Sequence, residues 1–385
     1  MQSFTFHTPT KIKFGNGKIR DLPDELKEIG SETHLIVTDK GIKETGILEE
    51  IKEILSESGT KFEVFSKIEP NPKDKTIEEG VKFAEEKPIG SVTGLGGGSS
   101  LDAAKLISML LKNEGKIHEF IGVNKVKNRA LPLITVPTTA GTGSEVTFSA
   151  VFTDTRKALH SKETVRSDLL CPDTAIVDPE LTISMGPKLT AATGFDALTH
   201  AIESYTAKNA QPITDQLSLK TIDIISNNIV RAVKNGEDIN SRRNMSLGSL
   251  MAGISFFNSD VTAVHCLSEA LGGFYDVPHG VANAVLLPFV MEYNLPSRPN
   301  RFAKISEKLN VTSRKLSTKE KAEKSVNKVK KLSDEVDLPK LRELGIKRKD
   351  FEEISKIAEA NISVKSNPRP IKAEDFKEIL EEAYY

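Results

Sequence analysis

Gly90-Ser-Val-Thr-Gly-Leu-Gly-Gly-Gly-Ser-Ser-Leu-Asp-Ala-Ala-Lys105 reads as an apolar strand, a glycine turn and the start of a helix, in that order. A strand that ends in a glycine loop and turns at once into a helix is the repeating joint of a parallel α/β sheet. Outward from it, the runs His34-Leu-Ile-Val-Thr38, Lys61-Phe-Glu-Val-Phe65, Leu131-Pro-Leu-Ile-Thr-Val136 and Thr174-Ala-Ile-Val-Asp178 alternate with helical patterns over 46–58 and 75–86. That rhythm predicts βαβ units around a parallel sheet in the first half of the chain.

The glycine turn itself suggests a phosphate. Backbone N–H groups and the helix dipole at such a joint favour an anion. As a motif it is incomplete, because it lacks the Lys-Ser/Thr ending of a P-loop and Ser99 replaces the last glycine of G-x-G-x-x-G. The simpler alternative is a tight turn in which Ser99 caps the helix and Asp102 completes a capping box. A second loop, Pro137-Thr-Thr-Ala-Gly-Thr-Gly-Ser144, follows the strand ending at Val136. Two polar, glycine-containing loops at strand ends outline the crevice where α/β sheets bind ligands. Asp39 closes the earlier strand Ile36-Val-Thr-Asp39; a carboxylate there accepts from a ribose 2′-hydroxyl and repels a 2′-phosphate, which favours NAD over NADP.

The second half supplies metal chemistry. Asp196 and His200 lie in Pro187–Tyr205, whose Leu189, Ala192, Leu198, Ala201, Ile202 and Tyr205 recur at helical spacing, so the two share one helix face. His265 sits in the apolar stretch Ala263–Gly272, and His279 follows a turn at Asp276-Val-Pro278. Taken singly, each histidine reads as a hydrogen-bonded core residue, and Asp196 as a helix cap. Together, a buried carboxylate and three imidazoles without a cation would carry several kcal/mol of uncompensated desolvation. No thiolate takes part, which argues against a structural zinc knot. Four protein ligands nearly saturate tetrahedral Zn2+ but leave room on Fe2+, so Fe2+ is expected, with Zn2+ close behind.

Composition bounds the rest. Hydrophobic residues make up 38% of 385 residues, enough for two cores, and a net charge of -1 gives no electrostatic reason for nucleic-acid or membrane binding. The basic stretch 319–331 is interrupted by Glu320 and Glu323 and reads as a solvated helix face. The 2 cysteines, Cys171 and Cys266, and the absence of an apolar leader or bilayer-length stretch lead to a cytoplasmic expectation. Cys266 is next to His265 but points elsewhere on a helix, and reads as packing.

At this point several motifs carry a family resemblance. Gly96-Gly-Gly-Ser-Ser-Leu-Asp-Ala-Ala-Lys105, Pro137-Thr-Thr-Ala-Gly-Thr-Gly-Ser-Glu145, Asp178-Pro-Glu-Leu181, Thr193-Gly-Phe-Asp-Ala-Leu-Thr-His-Ala-Ile-Glu203 and Asp276-Val-Pro-His-Gly280 resemble the signatures of the iron-containing, group III alcohol dehydrogenases. The resemblance runs from Pro9-Thr-Lys-Ile-Lys-Phe-Gly15 to Asn367-Pro-Arg-Pro370. It implies a Rossmann-like α/β dinucleotide domain over 1–185, an all-helical metal-binding and substrate domain over 186–385, an active site between them, and a dimer or larger homo-oligomer. It also implies that Asp196, His200, His265 and His279 hold the metal. On the cofactor side it places Asp39 and Asn71 beside the adenosine and ribose, and Gly97, Gly98 and Ser99, with Asp102 in the same motif, at the pyrophosphate. Thr138, Thr139 and Thr142 fall along the cofactor and Lys162 near its ribose or phosphate.

One position departs from the pattern. Several alcohol-reducing members carry a second histidine four residues after the equivalent of His265, where this chain has Glu269. Proton transfer then falls to Glu269, water or the nicotinamide ribose, or else Glu269 simply points elsewhere and pairs with a basic group, so no catalytic side chain is assigned.

The expected activity is NAD(P)-linked, metal-dependent hydride transfer to or from a small neutral primary alcohol, diol or aldehyde. Residues 244–297 contain no Lys or Arg, and neither do residues 189–207, which disfavours a multiply anionic substrate. The alternative is a dehydroquinate synthase-like or glycerol-phosphate dehydrogenase-like enzyme of the same architecture. A non-catalytic metal and nucleotide sensor is a third reading.

Overall fold

A computed structural model describes residues 3–156 and 161–385, and the chain divides into two compact units. The first covers Thr8–Ser184; the second takes the remainder from Met185 onward together with the segment up to His7.

The first unit is built from β1 (Lys11–Phe14), α1 (Leu22–Ile29), β2 (Thr33–Asp39), α2 (Lys40–Glu44), α3 (Ile47–Glu57), β3 (Phe62–Ile68), α4 (Asp74–Glu85), β4 (Ile89–Gly96), α5 (Gly98–Leu110), β5 (Gly122–Val123), β6 (Leu133–Pro137), β7 (Ser149–Asp154), β8 (Ser161–Arg166) and β9 (Thr174–Val177). Six strands form one sheet in the order β1-β9-β6-β4-β2-β3, with every pairing parallel. Each strand in its middle is apolar on both faces, which is why these segments read as continuous hydrophobic runs. In β2, Leu35 and Val37 join one core with Ile77, Ala104 and Ile107 of α4 and α5. Ile36 faces the other core, with Leu26, Leu48 and Ile51 of α1 and α3.

The chain passes from β2 outward to β3 and then returns to place β4 on the other side of β2. This reversal is a topological switch point, and the loops beyond the carboxyl ends of β2 and β4 flank the crevice it creates. Asp39 and the glycine turn stand at those two ends. A smaller sheet, β5-β8-β7, was not foreseen; its β7–β8 pair is antiparallel and rich in polar, half-buried residues.

Among the described residues the second unit contains helices and no strand: α6 (Pro187–Thr206), α7 (Pro212–Lys234), α8 (Ile239–Phe257), α9 (Ala263–Tyr275), α10 (His279–Asn294), α11 (Pro299–Lys308), α12 (Thr318–Glu335), α13 (Phe351–Glu359) and α14 (Ala373–Ala383). α6 is the central helix and packs against α7, α8 and α10. Almost all of it is buried, and Ala191, Ala192, Gly194, Ala197 and Ala201 keep its sides narrow enough for that enclosure. Hydroxyls of Ser204, Ser218, Ser255 and Ser259 satisfy one another where α6, α7 and α8 meet. The segment before β1 is strapped to this unit by a reciprocal pair of bonds. The His7 N–H donates to Asn258 Oδ1 at 2.7 Å, and Asn258 Nδ2 donates to the His7 carbonyl at 3.0 Å. No helix among the described residues is long and apolar enough to cross a membrane.

Candidate metal centre and dinucleotide loops

Asp196 and His200 project one turn apart from the middle of α6, His265 comes from the first turn of α9, and His279 opens α10. Asp196 therefore caps no helix. Asp196, His265 and His279 each offer a ligand atom within 4.8 Å of the others. His200 Nε2 lies 3.0 Å from His265 Nε2, and its Nδ1 is 4.0 Å from Asp196 Oδ1. Two imidazole nitrogens at such a separation share either a proton or a cation. The donor set, one carboxylate and three imidazoles without thiolate, fits a divalent transition metal.

The surroundings orient these donors. Glu203, two turns after Asp196 on α6, places Oε2 2.5 Å from His265 Nδ1. Its Oε1 accepts from Thr262 Oγ1 at 2.5 Å and the Val264 N–H at 2.7 Å. A carboxylate so placed keeps the proton on Nδ1 and turns the Nε2 lone pair toward the centre. Phe256 stacks on His200 with ring centroids 4.3 Å apart. The His279 side chain, 30% exposed, is the accessible member, while Asp196 is 2% exposed.

Electrostatics follow from this crowding. Burial alone would raise Asp196, but His200, His279, His265 and the Asn283 amide together hold its carboxyl below the usual range. Burial likewise opposes ionisation of Glu203, and the His265 ring with the Thr262 and Val264 donors outweighs it, so that carboxyl is lowered too. Burial pulls the His265 imidazolium down, and Glu203 more than compensates, raising it. The neighbouring Cys266 thiol is buried, and that burial, reinforced by Glu269 and Glu203, pushes it well up; it behaves as packing.

Sequence reasoning did not single out Glu203 or Asn283. The signal was present as spacing: Glu203 follows His200 by three positions and Asn283 follows His279 by four, each on the face its neighbour uses. Glu269, one turn beyond His265, accepts from Asn361 Nδ2 at 2.6 Å through Oε2, so its neighbour is an amide rather than a base.

In the α/β unit, Asp39 has two tasks already. Its Oδ1 accepts from the Ile42 N–H at 3.0 Å, capping α2, and its Oδ2 accepts from Ser100 Oγ at 2.8 Å. The glycine turn departs from the capping-box alternative. Gly97 is the N-cap of α5 in extended backbone, and Ser99 Oγ accepts instead from the Asn71 N–H at 3.3 Å. Asn71 adopts φ 54°, and its carbonyl accepts from Thr153 Oγ1 at 3.3 Å.

The two loops after β4 and β6 face each other closely. A Cβ at Gly97 would meet Thr139 Cγ2 at 3.3 Å, and one at Gly98 would meet Thr142 Cγ2 at 2.7 Å. The Thr138 N–H donates to the Gly96 carbonyl at 3.0 Å, which holds the loops in register. Asp102 lies beneath rather than at the surface of this cradle: Oδ1 accepts from Ser144 Oγ at 2.6 Å and Oδ2 from the Val151 N–H at 3.0 Å. Beside it the fully buried Lys105 Nζ donates to Ser144 Oγ, Thr147 Oγ1 and the Ser149 carbonyl. Lys162 is in β8 opposite Thr153 of β7 and is half-buried.

Asp74, His118 and Asp154 form a second metal-like trio in this unit. Its lone pairs are already engaged. Asp74 accepts from His118 Nε2 at 3.0 Å, Thr155 Oγ1 at 2.8 Å and the Lys75 N–H at 2.8 Å. Asp154 takes Arg156 through both oxygens, at 2.9 Å and 2.7 Å. A cation would have to displace a guanidinium and an imidazole, so the trio is an ion network that ties β7 to α4.

Comparison with known proteins shows the family. Residues 9–179 match the model of the iron-containing alcohol dehydrogenases, and residues 190–384 that of the C-terminal part of the Fe-containing alcohol dehydrogenase family. The chain is 37% identical over 379 residues to the NAD-dependent methanol dehydrogenase of Bacillus methanolicus, covering 98% of this chain and 99% of that protein. It is also 37% identical over 384 residues to the 1,3-propanediol dehydrogenase of Citrobacter freundii, with 99% of each covered. Among solved structures, a 1,3-propanediol oxidoreductase superposes with a TM-score of 0.97 at 36% identity over 100% of both chains. The chain belongs to the iron-containing alcohol dehydrogenase family and is an oxidoreductase of that class. The matched models are those of alcohol dehydrogenases, and nothing found favours the dehydroquinate synthase-like or glycerol-phosphate dehydrogenase-like alternative.

Proposed function

We propose that Asp196, His200, His265 and His279 hold a divalent cation, Fe2+ ahead of Zn2+, and that the chain uses NAD ahead of NADP to interconvert a small neutral alcohol or diol and its aldehyde. The observation that carries this reading is the convergence of one ligand atom each from Asp196, His265 and His279 within 4.8 Å, backed by Glu203. When bound, the cation supplies Lewis acidity at the substrate oxygen and the nicotinamide gives or takes the hydride.

The chain's own residues prepare that chemistry. Glu203 fixes the His265 tautomer, Phe256 covers the His200 ring, and Asp196 brings the negative charge. On the cofactor side, Gly97, Gly98 and Ser99 leave backbone close to a pyrophosphate at the start of α5, while Thr138, Thr139 and Thr142 wall it. Asn71 and Lys162 serve the ribose and phosphate side, and Asp102 braces the loop from beneath. The Asp39 carboxylate disfavours a 2′-phosphate, which supports NAD.

A neutral substrate is supported by the lack of Lys or Arg over residues 244–297 and by relatives named for methanol and 1,3-propanediol. The test is anaerobic. Protein stripped with chelator is given Fe2+ or Zn2+ separately, and NADH formation is followed with short alcohols and diols. Restoration by one metal establishes the reading and identifies the ion. Tight metal and NAD binding without net hydride transfer to any of them would overturn it.

A further inference from the structure

Asn283 stands one turn after His279 on α10 and is fully buried. Its Nδ2 lies 2.6 Å from Asp196 Oδ1, 3.2 Å from His265 Nε2 and 3.2 Å from His279 Nε2. One amide nitrogen thus reaches the same converging atoms from α6, α9 and α10 that define the candidate metal centre. At the other end of the amide, Oδ1 is buried with no hydrogen-bond partner among the described residues.

The orientation has a chemical cause. Reversing the amide would bring Oδ1 to the position 2.6 Å from Asp196 Oδ1, acceptor against acceptor, while the NH2 end offers two hydrogens to three crowded lone-pair carriers. Glu203 keeps the His265 proton on Nδ1, so its Nε2 is an acceptor, which faces both the Asn283 amide at 3.2 Å and His200 Nε2 at 3.0 Å. A lone pair directed at an amide hydrogen is not available to a cation in the same direction.

We propose that Asn283 is a displaceable stand-in for the ion: its NH2 group holds Asp196, His265 and His279 together in the metal-free protein and competes with the cation for them. The proposal rests on the reading that these residues bind a divalent metal. It runs opposite to the usual behaviour of a residue supporting ligands, whose removal weakens metal affinity by roughly 10–100-fold.

The experiment uses the full-length protein as wild type, Asn283→Leu, which preserves the volume without the donor, and Asn283→Ala. Melting temperature is measured after chelator treatment, and Zn2+ affinity by competition with a chromophoric chelator. The expected result is that both variants melt several degrees below wild type when metal-free yet bind Zn2+ roughly tenfold more tightly, as one charge-assisted hydrogen bond ceases to compete. Weakened or unchanged Zn2+ affinity overturns the proposal, as does an unchanged metal-free melting temperature. If a variant does not fold without metal, refolding yield against added Zn2+ is the readout: a lower Zn2+ requirement than wild type refolded the same way supports the proposal, and an equal or higher one overturns it. Failure of wild type to take up stoichiometric Zn2+ would instead remove the metal reading itself.

Discussion

A Cβ built on Gly280 would stand 2.6 Å from the carbonyl oxygen of Ala192, so the first turn of α10 rests directly on the backbone of α6. That contact sets how far His279 lies from Asp196, now 3.9 Å between Nε2 and Oδ1. Backbone cannot yield as a side-chain end can. Gly280→Ala is expected to move α10 outward, at about 1–3 kcal/mol of stability from overpacking. Metal affinity, read by chelator competition, should fall at least tenfold. Retained affinity would mean that α10 does not depend on this contact.

Glu203→Gln tests the orientation of His265. The substitution keeps an oxygen for Thr262 and Val264 but turns an NH2 toward His265 Nδ1, which then becomes an acceptor and leaves the proton on Nε2. Metal affinity should drop by roughly 10–100-fold. A titration indistinguishable from wild type would show that the tautomer is set elsewhere.

Asp39→Gly removes the carboxylate at the end of β2. Glycine is a tolerable N-cap, and the loss of stability should be only a few tenths of a kcal/mol. The ratio of kcat/KM for NADP to that for NAD should rise. An unchanged ratio removes Asp39 from cofactor discrimination.

Glu145 gives a pH signature independent of the metal. Burial pushes its carboxyl from 4.5 up to about 7. The folded protein therefore retains the proton while the unfolded chain releases it, so this group's contribution to stability falls as pH rises from 4.5 to about 7 and is constant above. The loss is on the order of 3 kcal/mol. Glu145→Gln should raise the melting temperature at pH 8 and leave it nearly unchanged at pH 4.5. A difference that does not vary with pH would place the effect in packing instead.

Much of this is legible in the sequence. The strands of the main sheet are buried on both faces, so Leu35, Ile36 and Val37 announce themselves as one apolar run. The pairing of Asp196 with His200 follows from helical periodicity alone. The β7–β8 hairpin left no such trace, because residues like Thr153, Lys162 and Glu163 neither alternate cleanly nor form an apolar run. Asp102 also misled: its position suggested a capping box, but its partners, Ser144 and Val151, lie some forty to fifty residues away, a separation that local pattern cannot register. Asn283 was hidden for a related reason, since one amide in an apolar helix has no signature until the donors of two other helices, Asp196 of α6 and His265 of α9, are placed around it.

The bond between the His7 backbone and the Asn258 side chain joins positions 251 residues apart. During synthesis His7 is thus made long before its partner, and it waits through translation of the entire sheet and the helices as far as α8. Closure over so long an interval is slow and comes late. The amide proton of His7 is consequently a local clock: the moment it becomes protected from solvent exchange marks the docking of this leading segment against the end of α8.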